Sequence, residues 1–155
     1  MESDYRIRPA EGRDLDVVLR HRRRMFEDMG YRDPQALDVM LAVSTPLLQR
    51  GLEDGTYRGW LVEDHQGAIV AGGGVILLQF QPHPMDPRPE RAWVVNMFTE
   101  PEHRRRRLAR LLMDALLAWC REEGLRFLFL HASDEGKPLY EELGFISTNE
   151  MRLEL

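Results

Sequence analysis

VVNMFTEPEHRRRRLA, residues 94–109, is the stretch that decides the fold. It continues an apolar run that begins at Arg91 and ends at Thr99, and this run predicts a mostly buried strand. The chain then turns through a Glu-Pro pair and enters a helix near Arg106 that ends at Gly124. The apolar residues of this helix recur at steps of three and four, as one buried face requires, and they are Leu108, Leu111, Leu112, Ala115, Leu116, Trp119 and Cys120.

A second apolar run, residues 127–131, predicts another strand directly after this helix. Strand, helix and strand form one crossover unit, whose two strands should be parallel and whose connection should be right-handed. Outward from this unit, the patterns predict helices over residues 14–29, 34–54 and 136–143, and strands over residues 5–9, 57–63, 68–80, 145–147 and 149–155. The predicted order is β-α-α-β-β-β-α-β-α-β-β, which describes an α/β protein with a mixed sheet and helices on both faces.

Length and composition are those of one compact domain, with 155 residues of which 43% are hydrophobic and 30% charged. The 21 basic and 26 acidic residues give a net charge of −5, which argues against a dedicated nucleic-acid-binding protein. The single cysteine, Cys120, excludes an internal disulfide and a CxxC metal or redox motif. No apolar run is long enough to cross a membrane and no signal-peptide pattern is present, so we expect a cytoplasmic protein.

Four consecutive arginines, Arg104–Arg107, lie where the strand of residues 91–99 gives way to the helix. The first turn of a helix has unpaired backbone N–H groups and a partial positive charge, so this turn suits a phosphate or diphosphate. Guanidinium groups would pair with the phosphate oxygens. A solvated basic turn explains the same residues equally well, whereas nucleic-acid binding would need a longer basic or aromatic stripe, which the sequence lacks.

Three consecutive glycines, Gly72–Gly74, lie inside a strand pattern. They lack the GxxxxGK[ST] spacing of a phosphate-binding loop, and no helix follows them. Glycine inside a strand more often marks a bulge or the close approach of another group, and we expect one of these here.

Two segments together resemble a known family. TEPEHRRRRLARLLMDALLAW, which begins at Thr99, resembles motif A of the GNAT superfamily of N-acetyltransferases, whose signature is [RQ]-x-x-G-x-[GA]. Arg104 matches the first position and Ala109 the last, while Arg107 stands where the family has glycine. HASDEGKPLYEELGF, residues 131–145, resembles motif B, which typically ends LYExxGF. The resemblance implies a single GNAT acetyltransferase domain over residues 1–155, with a mixed, mostly antiparallel central sheet.

The resemblance also implies acetyl-CoA as the acyl donor and no metal. The family binds the diphosphate of acetyl-CoA on backbone N–H groups of the motif A turn, which here are those of Arg104, Arg105, Arg106, Arg107, Leu108, Ala109 and Arg110. The pantetheine would run along the strand at Met97, Phe98 and Thr99, with Ser133 as a further contact. The backbone N–H of Met97 would stabilise the oxyanion, and Tyr140 would protonate the departing thiolate. From spacing alone, Tyr140 also fits a packed helix aromatic.

Two positions depart from the family pattern. Arg107 adds a Cβ and a long side chain where glycine lets the backbone approach the diphosphate. If its φ is negative, phosphate binding survives; if its φ is positive, the turn is strained by about 1 kcal/mol or more and binding weakens. We expect binding to survive, because the other arginines and the helix N-terminus remain. Ser133 replaces a common asparagine and makes fewer hydrogen bonds.

The acceptor implied by the resemblance is a primary amine, on a small molecule or a protein, that attacks the thioester directly in a ternary complex. Glu27 and Tyr31 lie near the first helix–helix connection and are candidates to receive a cationic amine. Asn96 and His131 are candidates for the general base, although each also fits a structural role. No nucleic acid or membrane is expected as a partner, and a homodimer is one option, since dimers are common in the family. The alternative is a non-catalytic acyl-CoA-binding or regulatory domain of the same fold.

Overall fold

The structure is a computed structural model that describes residues 4–155. In this part of the chain five strands and four α-helices follow one another. They are β1 (Tyr5–Pro9), α1 (Leu15–Asp28), α2 (Pro34–Asp54), β2 (Tyr57–Asp64), β3 (Ile69–Gln79), β4 (Glu90–Thr99), α3 (Leu108–Glu122), β5 (Leu128–Phe129) and α4 (Lys137–Glu142). No helix within residues 4–155 is long and apolar enough to cross a membrane.

The strands form one sheet in the order β1-β2-β3-β4-β5. Neighbouring strands are antiparallel except β4 and β5, which are parallel and connected through α3. The prediction of an α/β protein with a mixed, mostly antiparallel sheet is confirmed, as is the parallel pairing in the crossover unit. Only two residue pairs, Ala92 with Leu128 and Trp93 with Phe129, join β4 to β5, so β5 is shorter than the predicted strand of residues 127–131.

Helices cover both faces of the sheet, and each covered face has its own apolar cluster. On one face α3 packs against β2, β3 and β4 through a row of fully buried side chains, among them Leu112 and Leu116. On the other face α1 and α2 pack around Tyr57 of β2. The neighbouring β4 residues Val94 and Val95 belong to different clusters, as side chains on opposite faces of a strand do. Burial of apolar surface in both clusters supplies the main favourable term in folding.

A β-bulge interrupts β4 near its end. Gly72 pairs with Phe98 and Gly74 with Val95, so the single residue between the two glycines faces both Asn96 and Met97. Asn96 takes the extra position with a φ of 62°. The bulge shifts the alternation of side chains by one residue. Met97 therefore packs with the α3 cluster, and Phe98 lies 5.1 Å from the ring of the buried His21 of α1.

Glycine is required opposite the bulge because other atoms occupy the positions that a Cβ would take. A Cβ on Gly73 would lie 2.1 Å from the Sδ of Met97. A Cβ on Gly74 would lie 2.6 Å from the Tyr57 hydroxyl oxygen and 2.8 Å from the Arg58 carbonyl oxygen. The expectation of a bulge and a close approach at residues 72–74 is met in both respects.

Replacing Gly74 by alanine is expected to lower the free energy of unfolding by about 1–3 kcal/mol, the range for overpacking a filled site. The strain is not relieved by a side-chain rotation, because one of the obstructing atoms belongs to the backbone. Gly12→Ala is the control, since no atom lies within 4 Å of its added Cβ. Urea unfolding measures both variants, and equal stability of the two would contradict the close approach.

The strands predicted over Phe145–Ser147 and Asn149–Leu155 are wrong for this chain, because residues 145–155 form no strand. Their alternating pattern is typical of a strand, but a strand also needs a hydrogen-bonding partner, and this segment lies along no other strand of residues 4–155. The Glu150 side chain lies near that of His131, which follows β5. Residues 151–155 are exposed.

Candidate active site

The site begins at the edge of β4 that faces β5. Because pairing with β5 ends at Trp93, residues 94–99 have no strand partner on this side. Met97, Phe98 and Thr99 lie in this open stretch. An open strand edge offers backbone N–H and C=O groups to an extended ligand that adds to the sheet. The structure thus places the three residues expected to contact pantetheine on one accessible edge.

The turn between β4 and α3 follows directly. A short 3₁₀ turn, Pro101–His103, leads into Arg104, and α3 begins at Leu108 without a side-chain cap. None of the backbone N–H groups of residues 105–110 donates a hydrogen bond to another group of residues 4–155. Since the helix dipole adds positive potential at the same place, the turn can bind an anionic group.

The four arginines of this turn have two different environments. Arg104 is held by the protein itself: its Nη2 lies 2.5 Å from Asp28 Oδ2 and its Nε donates to the Thr99 carbonyl oxygen at 3.1 Å. Arg105, Arg106 and Arg107 are exposed and form no ion pair or hydrogen bond with the described residues 4–155. Three guanidinium groups therefore precede the start of α3 without a carboxylate of residues 4–155 to neutralise them, an arrangement that favours phosphate.

Arg107 occupies the backbone conformation that glycine adopts most easily. Its φ is 62°, and Arg105 two residues earlier has a φ of 61°. A side chain in this left-handed region costs about 1 kcal/mol or more relative to glycine. Of the two conditions set out for Arg107, the structure shows the strained one, for which weaker phosphate binding is expected; the side chain is exposed.

Replacing Arg107 by glycine is expected to raise the free energy of unfolding by about 1 kcal/mol, because the backbone strain is relieved. Arg106→Gly removes the same charge from a residue whose φ is not positive, so it should leave stability unchanged or lower it. Guanidinium unfolding of both variants measures the difference. The same change in both would mean that no strain is stored at residue 107.

Tyr140 lies on α4 with its ring packed against the α3 cluster, to which Met97 also belongs. The ring makes an edge contact with Phe145 at 5.7 Å between centroids. Its hydroxyl group forms no hydrogen bond with another group of residues 4–155. Burial raises the pKa of Tyr140, so the phenol is protonated at neutral pH and can donate. Ser133 contacts the residue before α4: its Oγ accepts a hydrogen bond from the Gly136 N–H at 3.1 Å.

The four candidate acceptor residues do not converge. Glu27 pairs with Arg23 at 3.0 Å on the surface of α1. Tyr31 is 62% exposed beyond the end of α1, where its ring contacts Phe26. His131 follows β5 and lies near the Trp93 ring, with its Nε2 3.7 Å from the Glu150 carboxylate. Their roles stay predictions.

Asn96 is buried within the protein, and the oxygen and the nitrogen of its side-chain amide each form one hydrogen bond. The Oδ1 atom accepts a hydrogen bond from Arg22 Nη1 at 2.9 Å, and the Nδ2 atom donates to the Tyr57 hydroxyl oxygen at 3.3 Å. Burial raises the pKa of Tyr57 to about 12, so its phenol is neutral. Arg22 also donates from Nε to Ser44 Oγ at 3.2 Å. This network holds the bulge residue in place from both sides.

The sequence alone does not single out Arg22, which lies in the basic run Arg20–Arg24 of the first helix. Arg22 is half-buried, its pKa is lowered by burial, and no carboxylate of residues 4–155 lies within 4 Å of it. Arg20 and Arg24 both pair with Glu100, at the end of β4. One signal in the sequence could have found Arg22: Asn96 is a polar residue in an apolar strand. A buried polar side chain requires a hydrogen-bonding partner.

The fold is that of an acetyltransferase family. The family model described as "Acetyltransferase (GNAT) family" matches residues 19–145, so the chain belongs to this family. A GCN5-related N-acetyltransferase from Ralstonia eutropha JMP134 is 36% identical, with a TM-score of 0.89 over 97% of this chain and 98% of that one. A predicted acetyltransferase with acetyl-CoA from Clostridium acetobutylicum is 26% identical, with a TM-score of 0.86 over 97% and 95%. A search of curated proteins gives no significant match.

Proposed function

We propose that this protein is an acetyl-CoA-dependent N-acetyltransferase that acetylates a primary amine by direct attack in a ternary complex. The observation that carries the proposal is the open edge of β4, which is followed directly by backbone N–H groups at the start of α3 that donate no hydrogen bond within residues 4–155. Membership of the GNAT family supplies the class of reaction. The relative from Clostridium acetobutylicum, described with acetyl-CoA, supports the choice of donor. The proposal treats residues 1–155 as one cytoplasmic acetyltransferase domain.

The residues present fit acetyl-CoA in charge and in hydrogen-bonding capacity. Its diphosphate would be held by the backbone N–H groups of residues 105–110 and by the arginines Arg105–Arg107, which have no carboxylate partner. Its pantetheine would add to the open edge of β4 between Met97 and Thr99. The hydroxyl group of Ser133, which accepts from the Gly136 N–H, keeps its own proton for a further hydrogen bond.

In this proposal the chain supplies two hydrogen-bond donors, the Met97 N–H and the Tyr140 hydroxyl group. It also supplies the surface that orients the bound thioester. The neutral amine nitrogen forms a bond to the thioester carbonyl carbon while the Met97 N–H stabilises the negative charge on the carbonyl oxygen. The C–S bond then breaks, and the Tyr140 phenol protonates the sulfur. The nitrogen loses its extra proton to water, and Tyr140 regains one from solvent. The products are the N-acetyl amine and free CoA.

A covalent acetyl-enzyme step is disfavoured by the position of the single cysteine. Cys120 lies on the face of α3 that packs into the core. Burial raises the pKa of its thiol to about 11, so the thiol is neutral and shielded at physiological pH. Direct attack by the amine is consistent with this environment.

The proposal predicts that acetyl-CoA binds and that exchanging the three exposed arginines weakens binding. R105Q/R106Q/R107Q should raise the Kd at least about tenfold, because charge-assisted hydrogen bonds to the phosphates are lost. R6Q/R50Q/R121Q removes the same charge from exposed sites elsewhere and should leave the Kd within about twofold. Isothermal titration measures all three proteins. No binding of acetyl-CoA to the unaltered protein at millimolar concentration would overturn the proposal.

Tyr140→Phe is expected to lower kcat by about 100-fold or more, since a general acid typically contributes that much. The Kd for acetyl-CoA and the thermal midpoint should stay nearly unchanged, because phenylalanine keeps the ring packed against the core. Release of CoA thiol over a panel of amines measures kcat. Full turnover in the variant would remove the assignment of Tyr140. Binding of acetyl-CoA by the unaltered protein without thiol release for any amine would favour the non-catalytic alternative.

A further inference from the structure

Arg22 differs from the other arginines of α1. Arg20, Arg23 and Arg24 each pair with a carboxylate, whereas Arg22 forms no ion pair with any group of residues 4–155. Its guanidinium group lies instead over the Phe26 ring, 5.1 Å from the ring centroid. Burial lowers the pKa of Arg22. A charge that is partly withdrawn from water and has no counter-ion is stabilised when an anion joins it.

The guanidinium group of Arg22 is held in place without all of its donors being used. Its Nε donates to Ser44 Oγ at 3.2 Å and its Nη1 to Asn96 Oδ1 at 2.9 Å, so α2 and β4 fix its orientation. Its Nη2 has no hydrogen-bonding partner within residues 4–155. This atom is open to solvent, since in this part of the chain the buried side-chain atom left without a partner is His21 Nε2. A fixed guanidinium group with free N–H groups suits a planar anion that accepts two hydrogen bonds.

Arg22 lies close to the position of the reacting thioester under the proposed function, on which this inference rests. Asn96, whose side chain Arg22 contacts, directly precedes Met97, the residue assigned to the oxyanion. The side chains of Met97 and Tyr140 pack with the α3 cluster on one face of the sheet. The Asn96 side chain lies on the other face, where it donates to the Tyr57 hydroxyl oxygen among α1 and α2. An amine that approaches the thioester carbon from the α1 face therefore arrives beside Arg22.

We propose that the acceptor amine carries a carboxylate group and that Arg22 binds this group, so that the substrate is a small amino carboxylate such as an amino acid. One guanidinium group without a counter-ion matches a carboxylate in charge, whereas a phosphate dianion requires a second cation. Because Arg22 contacts the residue next to Met97, the amine and the carboxylate must be only a few bonds apart. An α-amino acid meets this condition, and its products are the N-acetyl amino acid and free CoA.

Matched acceptors test the carboxylate on the unaltered chain. Release of CoA thiol is measured with each L-amino acid, with its carboxamide and with 2-aminoethyl phosphate. For the best amino acid we expect kcat/KM to be at least about 30-fold above that of its carboxamide, mainly through KM, because the uncharged amide loses the charge-assisted hydrogen bonds. An equal or better carboxamide, or a preference for the phosphate, would overturn this inference and leave the proposed function standing. No thiol release with any of these amines or with simple alkylamines would overturn both.

Arg22→Gln tests whether this residue binds the carboxylate. The glutamine amide can still donate a hydrogen bond to Asn96, so we expect an unchanged Kd for acetyl-CoA and a folded protein. The ratio of kcat/KM between the amino acid and its carboxamide should fall to about one. Arg50→Gln is the control, since it removes the same charge from an exposed position of α2 and should leave the ratio as it is. If Arg22→Gln lowers both acceptors equally, Arg22 acts only by holding the bulge, and the inference is overturned.

Discussion

The hydrogen bonds that hold the bulge of β4 are the constraint on which the rest of the site depends. Arg22 on α1 and Tyr57 on β2 grip the same Asn96 amide from two sides. The half-buried guanidinium group of Arg22 is tolerated because the Asn96 amide oxygen and the Ser44 hydroxyl oxygen accept hydrogen bonds from it. Without this grip, an asparagine with a φ of 62° would relax toward regular strand geometry. The Met97 side chain would then point to the other face of the sheet, and its backbone N–H to the opposite edge of β4.

The bulge also links the two ends of the candidate site. β4 passes from regular pairing to an open edge at the same end of the strand where the bulge lies. At its last residues, ion pairs of Arg20 and Arg24 with Glu100, and of Arg104 with Asp28, fasten α1 to the turn that leads into α3. Ion pairs of this exposure add little to stability, but they fix the path of the turn.

The distribution of neutralised and unneutralised arginines explains how a chain of net charge −5 can still bind an anion. Most arginines near the site are matched by carboxylates, as Arg23 is by Glu27 and Asp38. Arg105, Arg106 and Arg107 are not, so positive potential concentrates at the start of α3. Nucleic acid would meet a protein of net negative charge, whereas a diphosphate needs only this small basic area.

Local patterns predicted the fold well because helix periodicity and strand alternation depend on neighbouring residues. The three-and-four spacing of α3 and the apolar run of β4 were enough to identify the crossover unit, and the motif resemblance identified the family. The grip of Arg22 on Asn96 joins residues 74 positions apart, and no local pattern encodes it. The positive φ of Arg107 is set by the turn as a whole. The last strands were wrong because alternation shows which residues suit a strand, and says nothing about which strand is beside them.

The glycines opposite the bulge have a consequence for how this sequence can change over evolutionary time. The Met97 side chain fills the space that a Cβ on Gly73 would need. A larger residue at position 73 therefore requires either that the Met97 side chain moves or that a smaller residue replaces it. Substitutions at these two positions, 24 apart in the chain, are thus expected to depend on each other. This holds although residue 73 has no side chain and the Met97 side chain carries out no chemistry.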